Sequence, residues 1–180
     1  MKNFSCALVY MFFLTVTIAQ RPSIKSMVDS LTHVPFLYSD TLDCSADLYW
    51  RIVAKGEEAI PYLIAKLTDT LPTNIKFHCK KGRLNVGEVS YFAINEIGNF
   101  PMFLVTQMQF DLFEPDSTGG FCWSFYDFFF ENSNKIIYQN KIQKWYQENH
   151  SKYKAQTIPV KKLTECKRKY KIETYLQYTE

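Results

Sequence analysis

The sequence predicts a mainly α-helical single domain, a helical bundle with a short extended arm. Three observations indicate this fold class: capped segments with helical spacing between residues 42 and 98, an aromatic segment from Phe121 to Glu131, and an amphipathic segment that follows it. A chain of 180 residues is long enough to bury a hydrophobic core, so these segments can pack as one domain.

The first 19 residues have the layout of a secretory signal peptide. Lys2 precedes an almost wholly apolar stretch, Phe4–Ile18, and Ala19 supplies a small residue before the expected cleavage. The stretch is short for a membrane-spanning helix, which needs about 20 apolar residues; an uncleaved anchor is the alternative. We therefore expect an exported protein of the periplasm or cell surface, or a secreted one. We expect a leader at 20–41, a helical domain at 42–150 and a basic C-terminal extension at 151–180.

Export changes the interpretation of the cysteines. Without Cys6, which lies in the expected signal peptide, four remain: Cys44, Cys79, Cys122 and Cys166. An even number in an oxidising compartment favours one or two disulfides, and all three pairings are open; four buried thiols are the alternative. The spacings are wide and include no Cys-x-x-Cys, so no metal site is predicted.

The first half of the domain has clear helix signals. A helix over about Ser45–Lys55 begins at a capping Asp43 or Ser45 and ends at Gly56, and a second follows with Pro61 in its first turn. Apolar and polar residues alternate from Ile75 to Lys80, which predicts an extended arm. A third helix begins at Asn85 with Glu88 three residues later, the pattern of a capping box, and ends at Gly98.

The second and third of these helices resemble a HEAT-like helical hairpin over residues 57–98. The matching residues are Ala59, Ile60, Pro61, Leu63, Leu67 and Asp69 in the first helix, and Val86, Ala93, Ile97 and Gly98 in the second. The resemblance implies two packed antiparallel helices. It departs from the family in the extended arm between them, where the family has a short turn. No further copy follows, so an extended superhelix is not expected.

The segment Phe121–Glu131 contains seven aromatic residues. As a helix it places Ser124, Asp127 and Glu131 in one narrow polar stripe, which favours a buried central helix. Its alternative role is binding: Trp123, Tyr126 and Phe130 would form an exposed patch, and Asp127 would bond the hydroxyls of a sugar stacked on the rings.

The chain after this segment is basic. Ser133 is the expected cap of an amphipathic helix containing "WYQEN", Trp145 to Asn149, and a last helix is expected over Leu163–Leu176. The chain as a whole resembles small exported bacterial proteins that end in an aromatic helix and a "WYxxN" helix, and this resemblance implies no mechanism.

Charge is distributed unevenly along the chain. From residue 20 to 134 there are nine Lys and Arg against fourteen Asp and Glu, and from 135 to 180 there are eleven against four. A basic patch of the C-terminal segment could meet an anionic membrane surface or polymer; its members are Lys161, Lys162, Lys167, Arg168, Lys169 and Lys171. The alternative is a basic face that docks on the acidic half of the same chain. Export makes nucleic acid an unexpected partner.

The sequence shows no catalytic or metal-binding signature. The three histidines are widely separated, and the acidic residues Asp111, Glu114 and Asp116 have the spacing of a solvated turn rather than a calcium loop. We therefore expect no cofactor and no metal, and a non-enzymatic binding or scaffolding module of the cell envelope, with an envelope protein or glycan as partner. The alternatives are a membrane-surface tether and a small hydrolase of envelope polymers. The hydrolase would need a cleft where two carboxylates, or a carboxylate and a histidine, converge, and His78 beside Glu88 or Glu96 at a pocket would favour it.

Overall fold

The structure is a computed structural model that describes residues 22–34, 44–110, 112–115 and 121–180. The expected signal peptide at residues 1–19, Asp43, Asp111 and Asp116 lie outside the described residues. Of the described residues, 55% are helical and 18% lie in strands that form three small sheets. The prediction of a mainly α-helical bundle is therefore wrong, because the fold is mixed α/β.

The described part of the chain contains eight α-helices: α1 (Ile24–Asp29), α2 (Asp47–Val53), α3 (Ile60–Lys66), α4 (Val86–Ile97), α5 (Met102–Thr106), α6 (Phe125–Phe130), α7 (Asn132–Asn149) and α8 (Glu165–Lys169). Its seven strands are β1 (Pro72–Lys76), β2 (Arg83–Asn85), β3 (Gly98–Asn99), β4 (Phe113–Pro115), β5 (Phe121–Trp123), β6 (Tyr153–Thr157) and β7 (Thr174–Tyr178). Short 3-10 helices lie at Leu31–His33, Gly56–Ala59, His150–Lys152 and Val160–Lys162.

The three sheets join parts of the chain that the sequence patterns do not connect. Strands β1 and β2 form one antiparallel pair, and β4 and β5 form another. The third sheet has the order β3-β7-β6, in which β7 is parallel to β3 and antiparallel to β6. The expected extended arm from Ile75 to Lys80 is strand only at Ile75 and Lys76, where it overlaps β1.

The expected helix over Leu163–Leu176 divides into α8 and β7. Helix α8 stops at Lys169, and Lys171 adopts a left-handed φ of 56°, which turns the chain out of the helix. The residues that follow are β-branched or aromatic at three of five positions, and Leu176 is buried against the sheet. The change from helix to strand here supplies the central strand of the β3-β7-β6 sheet, one of the three sheets that make the fold mixed α/β.

Helices α3 and α4 are the expected HEAT-like pair, and the end of α3 contacts the start of α4. The predicted capping box is confirmed: the side chain of Asn85 accepts from the backbone N–H of Glu88 at 3.0 Å, and that of Glu88 accepts from the backbone N–H of Asn85 at 2.9 Å. A Cβ added at Gly87 would lie 2.2 Å from the carbonyl oxygen of Leu67. Only glycine therefore permits this approach of the two helices.

The aromatic segment forms strand β5 followed by the short helix α6, so the helix begins later than expected. Phe125 and Phe129 are fully buried and contact Tyr91 of α4 and Tyr138 of α7. Helix α7 then begins at Asn132, so Ser133 is not its cap. The interpretation of this segment as core is correct for these two phenylalanines.

A charged cluster lies inside the domain. The carboxylate of Glu88 is fully buried and accepts from the Lys135 amine at 2.6 Å and from the Lys80 amine at 2.6 Å. The side chain of Lys135 is 1% exposed. Burial lowers the pKa of the Lys135 amine, and the hydrogen bond that this amine donates to Glu88 opposes the shift. The cluster links α4, α7 and the segment between β1 and β2.

Two disulfides link distant segments, one between Cys44 and Cys166 and one between Cys79 and Cys122. Their Cα atoms are 4.9 Å and 5.4 Å apart, within the range that a disulfide spans. Two bridges are typical of proteins from an oxidising compartment, such as the periplasm or the extracellular space. Among the described residues, the helices are too short or too polar for any to cross a bilayer.

Candidate functional site

A cleft of about 610 Å³ opens where α4, β5, α6 and the C-terminal sheet meet; we call it the Trp123 cleft. One wall is the second half of α4 and the residues that follow it, and the opposite walls are Trp123 and Tyr126 on one side and residues 158–175 on the other. Three parts of the chain that are far apart in sequence therefore build one concave surface. Its volume lies within the range of ligand pockets, about 300–1,000 Å³.

The aromatic side of the cleft is held rigidly. The indole N–H of Trp123 donates to the carbonyl oxygen of Phe110, and the ring lies 5.1 Å from that of Phe125. Trp123 and Tyr126 are each half-buried and meet edge to face, with ring centres 6.1 Å apart. The fixed rings thus present part of their surface to the cleft at little further loss of conformational entropy on binding.

The opposite side of the cleft carries polar side chains. Asn95 and Asn99 are exposed, and Glu96 is half-buried. Asn95 hydrogen-bonds with the hydroxyl of Tyr91, whose pKa is raised well above its ordinary value mainly by burial. Tyr175 of β7 adds a third half-buried ring to the lining. Amide groups that face aromatic rings can bond the hydroxyls of a ligand whose apolar face lies on those rings.

Basic residues of the C-terminal segment complete the cleft. Lys162 and Lys167 line it, and the Lys167 amine lies 2.9 Å from the carboxylate of Glu96. Lys169 instead donates to the carbonyl oxygen of Cys44 at 2.9 Å, outside the cleft. The remaining members of the expected basic patch, Lys161, Arg168 and Lys171, are exposed and do not line the cleft.

The four expected binding residues on the aromatic segment do not all line the same cleft. Trp123 and Tyr126 line the cleft, whereas Phe130 stacks on Tyr126 at 5.7 Å and lies beneath the Lys80 amine. Asp127 is exposed and lies outside the cleft lining. The structure therefore brings two of the aromatic candidates to two of the basic candidates, a combination that the sequence analysis did not anticipate.

The arrangement named above for a hydrolase is not found in the described part of the chain. The carboxylate of Glu88 bonds Lys80, Lys135 and the backbone of Asn85, and Glu96 pairs with Lys167. His78 is exposed and its ring contacts Phe77 at 4.7 Å. It also lies next to Cys79 and Cys122, whose sulfur atoms are joined to each other in the second disulfide.

Two smaller depressions border other parts of the surface. One, of about 360 Å³, lies between α3 and α7 and is lined by Ile64, Tyr146 and His150. The other, of about 370 Å³, lies on the far side of Trp123 beside Phe103 and Met108. In the pairing of β4 with β5, Phe113 lies opposite Trp123, and Phe121 shares that face of the hairpin. Phe113 and Phe121 are 64% and 66% exposed, so apolar surface continues from the cleft along the hairpin.

Several residues that line the Trp123 cleft were not predicted from the sequence. Asn95 lies within the Ala-x-x-x-Ile-Gly pattern of α4 at a position that faces solvent on an otherwise buried helix, and this polar residue was the available signal. Asn99 and Tyr175 belong to β3 and β7, whose pairing has no local sequence pattern. Comparison of the chain with protein-family models, with curated proteins and with solved structures finds no match.

Proposed function

We propose that the protein is an exported, non-enzymatic binding module of the bacterial cell envelope, and that the Trp123 cleft binds a carbohydrate. The observation that carries this proposal is the fixed, half-buried Trp123 ring, which lines the same cleft as the exposed amides of Asn95 and Asn99. A sugar ring has an apolar face and a rim of hydroxyls. Stacking on an aromatic ring and hydrogen bonds to amides satisfy the two together.

The charges in the cleft favour binding over hydrolysis. Among the described residues of the lining, Glu96 is the one carboxylate, and it pairs with Lys167. Hydrolysis of a glycosidic bond ordinarily uses two carboxyl groups, one on each side of the bond. This cleft thus provides recognition without an evident acid and base pair.

The proposal is tested by saccharide binding to a protein in which Trp123 is the remaining tryptophan. Trp50 lies in the core, and Trp145 bonds Tyr153 outside the cleft, so both are replaced by Phe to isolate the Trp123 fluorescence. We expect a panel of envelope glycans to include members that shift or quench this fluorescence. Calorimetry measures the same members on variants of the parent protein, because Trp123→Phe removes the fluorophore. Trp123→Phe and Asn99→Ala should each weaken their binding at least about fivefold, the loss typical of one good contact.

Asn99 is exposed, so its replacement by Ala tests the cleft without disturbing the core. Asn140→Ala is the matched control, because Asn140 is an exposed amide on α7 that does not line the cleft. If no glycan in the panel alters the fluorescence, or if both cleft variants bind as the parent does, the proposed function is wrong.

A further inference from the structure

The charges that line the Trp123 cleft do not cancel. Its described ionisable side chains, apart from the tyrosines, are Glu96, Lys162 and Lys167. Lys167 and Glu96 form an ion pair at 2.9 Å, and their side chains are 17% and 33% exposed. The side-chain amine of Lys162 forms no hydrogen bond or ion pair with another residue in the described part of the chain. The lining therefore has one net positive charge, and Lys162 carries it.

The position of Lys162 is fixed by the backbone around it. It lies in the 3-10 helix Val160–Lys162, where its N–H donates to the carbonyl oxygen of Pro159 at 2.7 Å. Just before this turn, the N–H of Ile158 donates to the carbonyl oxygen of Glu173 at 2.8 Å, and the Ile158 side chain is buried. The turn is thus attached to the segment that enters β7, and it holds the lysine at the rim of the cleft.

We infer that the carbohydrate bound in the Trp123 cleft carries an anionic group, which the amine of Lys162 binds with help from Lys167 of the same lining. This inference rests on the proposed function. An ammonium group has three donors, so Lys167 can keep its bond to Glu96 and still donate to a ligand oxygen. Bonds between an ammonium and a carboxylate or phosphate are stronger than those between neutral groups.

The same geometry disfavours the two other charge classes of sugar. A cationic amino sugar would reach the carboxylate of Glu96 only beside two ammonium groups, because Lys162 and Lys167 line the same cleft. A neutral sugar would use the rings and the amides and would leave Lys162 without a role. Charge attraction of this kind is weakened by salt, so binding of the acidic sugar should fall as ionic strength rises.

The test compares an acidic sugar with its uncharged ester and with a second kind of anion. Digalacturonate, its methyl ester and a sugar phosphate are titrated into the protein by calorimetry at neutral pH and low salt. We expect digalacturonate to bind about five- to tenfold more tightly than the ester, the effect of one charge-assisted contact near the surface. The sugar phosphate distinguishes a general anion site, which would bind it too, from one that fits a carboxylate.

Three variants locate the charge. Lys162→Gln should remove the preference for digalacturonate over the ester, whereas Lys161→Gln should keep it, because Lys161 is the exposed neighbour that does not line the cleft. Glu96→Gln should increase the affinity for digalacturonate, because it releases Lys167 from its ion pair. Lys162→Gln and Lys161→Gln change the net charge of the protein equally. A difference between them therefore shows a direct contact with the ligand rather than a long-range electrostatic effect.

Each outcome decides a separate question. Equal binding of digalacturonate and its ester, or equal effects of the two lysine variants, refutes the inference that the ligand carries an anionic group. Neither result contradicts the proposal that the cleft binds a carbohydrate. Binding of neither compound by a protein that does bind members of the glycan panel also overturns the anionic group. Absence of binding to every glycan overturns the proposed function itself.

Discussion

Replacing Lys135 by Met should destabilise the protein far more than any surface lysine would. The Lys135 amine lies 2.6 Å from the carboxylate of Glu88, and the two side chains are 1% and 0% exposed. Met has a similar shape, so the change removes the charge and leaves a buried carboxylate with Lys80 as its remaining cation. Breaking a buried ion pair typically costs about 3–5 kcal/mol. Because Lys80 still compensates in part, we expect a loss of about 3 kcal/mol.

The assay is urea unfolding at neutral pH with both disulfides intact. Lys144→Met is the matched control: its amine is 3.9 Å from Glu148, both side chains are more than half exposed, and we expect a change below about 0.5 kcal/mol. Glu88→Gln keeps an acceptor for the Asn85 N–H and removes the charge. The double variant Lys135→Met, Glu88→Gln should cost at least about 2 kcal/mol less than the sum of its two single changes.

Two results would refute this reasoning. A loss below about 1 kcal/mol for Lys135→Met would mean that the buried charge contributes no more than an exposed one. Strictly additive effects of the two changes would mean that Lys135 and Glu88 do not interact, whatever their separation.

Three further predictions concern stability. Burial raises the pKa of Tyr49, Tyr91 and Tyr138 above 10. These groups therefore do not change the free energy of unfolding below pH 10, and above it each lowers that free energy by up to about 1.4 kcal/mol per pH unit. The fall is measured as a lower urea midpoint, alongside tyrosinate absorbance. Replacing both cysteines of the Cys44–Cys166 bridge by Ser, which opens a loop spanning 122 residues, should cost about 4–5 kcal/mol in the same assay. Gly87→Ala should cost about 2–3 kcal/mol, because its methyl group would overlap the backbone of α3, and a change below 0.5 kcal/mol would show that the helices separate freely.

Local patterns predicted the local features well. The capping box at Asn85 and Glu88 and the left-handed Gly56, with φ of 57°, follow from residues within one turn of each other. The extended arm was visible as alternation from Ile75. The expectation of disulfides followed from an even number of cysteines and expected export, although the pairing required the structure.

Features that depend on distant residues were not predictable. The strand Gly98–Asn99 has two residues and exists because Leu176 and Gln177 lie beside it. Lys135 near the start of an amphipathic helix would be expected at the surface, and it is buried because Glu88 supplies the opposite charge. The cleft shows the same limit: Trp123 and Lys162 could each be named, but no spacing in the sequence brings them to one site.

The position of β7 has a consequence for how the protein folds as its chain emerges from the N-terminal end. β7 is the central strand of its sheet, yet it is the latest of the described strands in chain order. Neither β3 nor β6 has a sheet partner until residues 174–178 have emerged, so the wall of the cleft that contains Tyr175 forms late. The aromatic segment from Phe121 emerges earlier and exposes apolar surface in the meantime, which makes this interval the period when the chain is most prone to aggregate. The bridge between Cys79 and Cys122 can close as soon as Cys122 emerges, and it would attach that segment to the first half of the domain before the sheet is complete.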